Sequence, residues 1–235
     1  MIECEGLHKS YDPGVPVLSD VTFMIQPGEF VVLAGESGQG KSTLLKLLYA
    51  EEKPTAVFQL HVNGFNLQRL RPGDIPRLRR TLGLVFQDLK LFLSRTVYEN
   101  VAYPLHVLGA SASSIAEEVH NVLSVLQMEA KMAVRIHELS SAEKVRVAIA
   151  RAIVHHPQAL LADEPFLALD DRAALELMQF LERVNAMGTT VFLATRDVKP
   201  IHQAGKKVLY LEQGRVTGRT SNGSGPTPRP ADPAI

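Results

Sequence analysis

An α/β fold with a mainly parallel sheet is predicted for this 235-residue chain by three observations. Short β-branched runs recur between stretches of helical periodicity, the pattern of buried strands and the helices that cover them. One of those runs leads through the glycine-rich loop GESGQGKS into an apolar helical segment. Hydrophobic residues make up 46% of the chain, and its 25 basic and 25 acidic side chains cancel, which leaves apolar material enough for one sizeable globular domain.

The elements follow in chain order. VTFMI (21–25) and FVVLA (30–34) precede any long helix, so the early strands suggest an antiparallel addition to the main sheet. FQLHV (58–62), GLVF (83–86), ALLA (159–162), TVFLA (190–194) and VLYLE (208–212) supply the other strands. Between Thr96 and Leu139 the pattern turns helical. Ile115, Val119, Val122, Leu123 and Leu126 fall on one helix face, behind a serine-rich SASS segment suited to capping. The expected organisation is one domain over 1–218 with a helical subdomain inserted at about 96–142. From 219 to 235 the chain is too rich in Gly, Pro and Ser to bury a core, and reads as a disordered tail.

Composition also excludes. A neutral balance gives no electrostatic reason for general binding to nucleic acid or anionic membrane, so no nucleic-acid partner is expected. Cys4 is the only cysteine, which rules out an intramolecular disulfide or a cysteine-rich zinc site and suits a reducing, cytoplasmic setting. FVVLAG and LLKLLYA are far shorter than the roughly 20 residues of a spanning helix, and the N-terminus lacks signal-peptide regions, so neither spanning nor export is expected. Arg69, Arg71, Arg77, Arg79 and Arg80 form either a solvated face or a basic patch toward a cytoplasmic membrane surface or an acidic partner. His155 and His156 suit a helix end, and no metal role is assigned to them.

GESGQGKS, Gly35 to Ser42, fits G-x-x-x-x-G-K-[ST] between an apolar strand and a helix, the context that distinguishes a phosphate loop from a turn that merely caps a helix. Its glycines let successive N–H groups and the helix N-terminus converge on phosphate oxygens. Gly35, Glu36, Ser37, Gly38, Gln39, Gly40, Lys41, Ser42 and Thr43 are the candidate nucleotide-binding residues, with Lys41 reaching the β and γ phosphates and the Ser42 hydroxyl on magnesium. ALLADEP supplies the acids. Asp163 at a strand end would face Ser42 and the metal ion, and Glu164 could activate the attacking water. The fold predicted is therefore a P-loop NTPase core with an antiparallel β subdomain and a helical insertion.

With both motifs in place, ELSSAEKVRVAIARA (138–152) becomes readable: the chain resembles the nucleotide-binding domain of ABC ATPases, whose LSGGQ-type signature precedes such a helix. The resemblance covers about residues 1–218. Within the family, the stretch from Ile75 to Gly109, with FQDLKL followed by RTVYENV, looks most like the branch that serves bacterial cell division. Lipoprotein-release and macrolide-export ATPases share the layout. The resemblance implies that Tyr11 in KSYDPG stacks on adenine, that Gln87 senses the γ phosphate and contacts magnesium, and that Leu169 and Asp170 cross a dimer interface. It implies a homodimer in the ATP-bound state, in which the signature residues Ser140, Ser141, Ala142 and Glu143 cover the nucleotide of the opposite subunit. It further implies an FtsX-like integral-membrane partner, and hence a peripheral position on the inner face of the cell membrane.

Two departures bear on the chemistry. Ser141 and Ala142 stand where the family has glycines that allow close backbone approach, while S-x-x-E at 140–143 keeps a capping box and the positive helix end. Arg196 in LATRD replaces a histidine, and a guanidinium can neutralise phosphate but cannot shuttle a proton. ATP and magnesium binding with slow hydrolysis is the expectation, with Glu164, Gln87 and Arg196 as the catalytic candidates. Against a motor ATPase stand a nucleotide-gated binding module and a chromosome-maintenance ATPase. The latter is disfavoured because no heptad run separates the loop from the signature.

Overall fold

Two sheets, one antiparallel and one mostly parallel, organise the computed structural model, which describes residues 1–197, 199 and 206–219. The first part of the chain forms β1 (Ile2–Ser10), β2 (Pro16–Ile25), β3 (Phe30–Ala34), α1 (Lys41–Leu48), β4 (Gln59–Val62), β5 (Phe65–Asn66), α2 (Ile75–Arg80) and β6 (Leu82–Val85). Three helices follow, α3 (Val97–Val107), α4 (Ala112–Val125) and α5 (Ser141–Ile153). Then come β7 (Ala159–Asp163), α6 (Asp171–Ala186), β8 (Thr190–Thr195), β9 (Lys207–Glu212) and β10 (Arg215–Arg219).

The small sheet has the order β2-β1-β4-β5 with antiparallel pairs throughout. The large sheet runs β10-β9-β3-β8-β7-β6, parallel except where β10 pairs with β9. Its central strands are buried on both faces, so alternate residues enter different cores. Val32, Ala34, Leu160, Ala162, Val191 and Leu193 pack with α3 to α6. Val31, Leu33, Ala159, Leu161, Phe192 and Ala194 pack with α1 and the antiparallel sheet.

Each apolar run expected as a strand falls on one: FVVLA coincides with β3, and the others differ from their strands by a residue or more at one or both ends. Phe58 is outside β4 and 75% exposed. β1 was not foreseen, since its outward Glu3 and Glu5 and the positive φ of Gly6, where the pairing register shifts, break any apolar alternation. β10 was not foreseen either. It includes Arg219, which the sequence assigned to the tail, and residues 220–235 lie outside the described residues.

The helices begin where their caps dictate. Ser111 accepts from Ser114 N at the start of α4, and Ile115, Val119 and Leu123 are buried along one face. Thr96 and Glu99 close a capping box on α3. Gly83 permits α5 to lie directly on β6, because a Cβ there would run into the Ala152 carbonyl oxygen.

Candidate functional site

β3, β8 and β7 end at a common edge, with Ala34 opposite Thr195 and Asp163 opposite Ala194. Crevices at the carboxyl ends of parallel strands are where open α/β sheets place ligands. The loop from Gly35 to Gly40 leaves β3 at this edge and starts α1. Gly40 caps α1 at φ 99° with no side-chain hydrogen bond, so the first-turn N–H groups are not taken by a cap. Only glycine fits there: a Cβ would stand 2.9 Å from Leu18 Cδ2 and 3.1 Å from Val17 Cγ1, besides the strain of positive φ. Gln39 holds the loop to the β9–β10 turn by accepting from Gln213 N at 2.7 Å. Glu36 and Ser37 are exposed.

Lys41 is 5% exposed and fully engaged. Its ammonium donates to the Gly35 and Glu36 carbonyls at 2.7 and 3.0 Å and pairs with Glu164 Oε1 at 3.0 Å. Glu164 Oε2 accepts from the Arg196 backbone N–H at 3.0 Å, so both carboxylate oxygens are held. The Glu164 backbone has φ 47°, a conformation unusual outside glycine that is kept by its own N–H donating to Ala194 O at 2.8 Å.

Burial pushes the Asp163 carboxyl above the usual carboxylate range, and the neighbouring Glu164 charge adds to this, while a hydrogen bond from Ser42 opposes it. Asp163 Oδ1 is buried with no hydrogen-bond partner among the described residues. A buried oxygen acceptor beside a hydroxyl suits a hard divalent cation such as magnesium. Among the described residues no group of three His, Cys, Asp or Glu side chains could hold a metal ion. Magnesium bound chiefly through phosphate oxygens and waters does not require one.

The cleft has a volume of about 430 Å³ and brings together Ser37, Lys41, Ser42, Gln87, Glu164 and Arg196. Gln87 follows β6 on an exposed loop whose next turn is pinned from two helices. Buried Asn100 of α3 bonds Phe92 N and O at 2.9 and 3.1 Å, and Arg151 of α5 donates to the Leu89 and Lys90 carbonyls at 2.6 and 2.7 Å. Val17 and Leu167 also line the cleft and escaped the sequence reading. No motif marks them, and Val17 reaches the site only because β2 folds over Gly40.

Other candidates stand apart from this cleft. Tyr11 is 52% exposed and reaches the first turn of α1 through its hydroxyl, 3.4 Å from Thr43 Oγ1. Ser140 to Glu143 lie at the start of α5 and do not line it. There Ser140 and Glu143 form both halves of the capping box, and Glu143 also pairs with Lys131. Ser141 and Ala142 occupy the first helical positions without positive φ, so the fold of the chain itself asks for no glycine at either. Asp170 caps α6 by accepting from Ala173 N at 2.8 Å. His155 contacts the Leu82 carbonyl and His156 pairs with Glu118, so neither histidine belongs to the site. A second cavity of about 310 Å³ lies between α4 and the C-terminal ends of α5 and α6, and holds none of the candidate residues.

Comparison with known proteins accords with this geometry. Residues 18–167 match the ABC transporter family. The chain is 42% identical over 223 residues to the cell division ATP-binding protein FtsE of Streptococcus pneumoniae, covering 95% of this chain and 96% of that protein. It is 41% identical over 223 residues to the FtsE of Bacillus subtilis, covering 95% and 97%. Among solved structures it resembles a dimeric ATP-binding cassette in a post-hydrolysis state bound to ADP and Pi, with TM-score 0.86, 30% identity and coverage of 95% of this chain and 100% of that one.

Proposed function

The chain belongs to the ABC transporter family, and from that premise we propose that it hydrolyses ATP as the FtsE-type subunit of a cell-division complex. An FtsX-like integral-membrane partner would hold it on the inner face of the cell membrane. Among the described residues no helix is long and apolar enough to cross a membrane. Residues 1–218 act as one ATP-binding unit, with the helical segment around 96–142 carrying the signature to a second copy.

The observation that carries this reading is the buried pair between Lys41 and Glu164 at the mouth of an uncapped helix. In the structure the ammonium is satisfied by Glu164 and two carbonyls. A triphosphate brings oxygens that compete for Lys41, and its transfer to the β and γ phosphates frees Glu164 Oε1. The freed carboxylate then accepts a proton from the water that attacks the γ phosphorus, as the bond from that phosphorus to the bridging oxygen breaks and ADP leaves. The Arg196 N–H keeps the other oxygen in place meanwhile. Ser42, Asp163 and Gln87 would hold magnesium, which when bound neutralises charge on the phosphates.

Two copies close over two nucleotides, each copy offering the α5 end and Ser140 to the other's γ phosphate. Ser141 and Ala142 put side chains where close backbone approach is needed, and Arg196 supplies charge without proton transfer. Hydrolysis is therefore slow. The test is magnesium-dependent ATP binding and turnover of the purified protein, together with copurification of membrane proteins from the source cell with and without ATP. Recovery of an FtsX-like protein supports the assignment, and recovery of a lipoprotein-release complex overturns it. The altered signature also favours a second reading, a nucleotide-gated binding module, which would keep cellular function in Glu164→Gln where a motor loses it.

A further inference from the structure

Lys9 is 8% exposed, and a lysine is rarely so buried without partners. Its ammonium donates to Glu52 Oε2 at 3.0 Å and to the Lys53 carbonyl at 2.9 Å, both in the turn after α1. It also stands 4.7 Å from the centroid of the Tyr11 ring, within reach of the negative face of the π system. The hydroxyl of the same ring is held 3.4 Å from Thr43 Oγ1 in the first turn of α1. Tyr11 nevertheless remains 52% exposed.

We propose that Lys9 is a positioning residue for the nucleotide base: fixed by Glu52, its ammonium backs one face of Tyr11 and leaves the opposite face for a purine. The proposal rests on the reading of Tyr11 as the residue that stacks on adenine. A cation against one face draws π density toward itself, so the free face becomes a better partner for the electron-rich ring of a 6-aminopurine. The half-buried ion pair keeps the ammonium from straying into solvent, and the Thr43 contact limits rotation of the ring. Base recognition thus begins on β1 and ends at the first turn of α1 through three side chains: Lys9, Tyr11 and Thr43.

The test measures ADP and inorganic tripolyphosphate binding to the full chain carrying Lys9→Met, Lys9→Arg or Tyr11→Ala. Lys9→Met should weaken ADP roughly five- to tenfold, by loss of a cation–π contact, and leave tripolyphosphate affinity unchanged. Lys9→Arg should restore most of the ADP affinity, because a guanidinium can also cover the ring. If Tyr11→Ala weakens ADP while Lys9→Met does not, the role of Lys9 is overturned and that of Tyr11 stands. If neither substitution matters, both readings fall. An equal loss for ADP and tripolyphosphate in Lys9→Met would make Lys9 a purely structural residue and overturn the proposal. Should Lys9→Met fail to fold, Glu52→Gln frees the same ammonium, and an ADP affinity equal to that of the wild type would count against the proposal.

Discussion

At the start of α1 no side chain caps the first N–H groups, whereas at the start of α5 the side chains of Ser140 and Glu143 take up both the N-cap and the N3 N–H. In the proposed dimer both helix ends would face the same triphosphate, one from each copy. The α1 end is left open by Gly40, which carries no side chain to compete with a ligand. The α5 end is self-satisfied: the Ser140 hydroxyl accepts from Glu143 N at 3.3 Å and lies 2.9 Å from Glu143 Oε2. The difference teaches that a binding end can be built within one chain, while a covering end has to survive alone until a second copy arrives. Such a cap stabilises the lone helix and, in the proposed dimer, its Ser140 to Glu143 bond would have to open for the hydroxyl to donate to phosphate.

The strongest way to break this contrast is Lys41→Ala. It strands Glu164 in a buried site, which costs on the order of 3–5 kcal/mol of stability, and it removes the cation that meets the phosphates. Calorimetry should show no nucleotide binding, and the melting temperature should fall. Next in size is the combined Ser141→Gly, Ala142→Gly, Arg196→His variant, expected to raise ATP turnover by up to about a hundredfold. ADP affinity of the single copy should stay unchanged in Ser141→Gly, Ala142→Gly, since neither residue lines the cleft, and a turnover of the triple variant equal to wild type would show these residues harmless.

Smaller effects sharpen the comparison at α5 alone. Ser140→Ala removes the cap and should cost about 1 kcal/mol, read as a melting shift of roughly 2–4 °C, with ADP binding intact. Smallest is a pH effect. A hydrogen bond from Lys131 holds the Glu143 carboxyl below its ordinary value of 4.5, helped by the Ser140 bonds. A carboxyl whose value is depressed by folding stabilises the fold above 4.5, and that contribution is lost as pH falls through the lower folded value. The stability gap between wild type and Glu143→Gln should therefore be present near neutrality and close in acid. A gap that persists below that range would rule out the ionised pair as its source.

Much of the fold was readable because its strands are apolar runs, such as Phe30 to Ala34 and Val191 to Ala194, each buried along its length. β1 was not readable, since a half-covered strand with outward acids and a bulge at Gly6 carries little apolar signal. The glycine-rich loop between β3 and α1 was readable for a similar local reason: its glycines, lysine and serine fall within eight residues, between an apolar strand and a helix. Val17 and Leu167 were not, because nothing in the spacing of either reports what folds over it.

By itself the sequence determined the glycine-rich turn after FVVLA, the acid pair after ALLA and the S-x-x-E cap on α5, since neighbouring residues set each local conformation. Only the tertiary structure decided that Lys41 meets Glu164, that the Arg196 backbone rather than its side chain holds that carboxylate, and that Lys9 lies against Tyr11. Those meetings depend on strand order and register. Hydrophobic packing of remote segments sets both, and no local spacing encodes them.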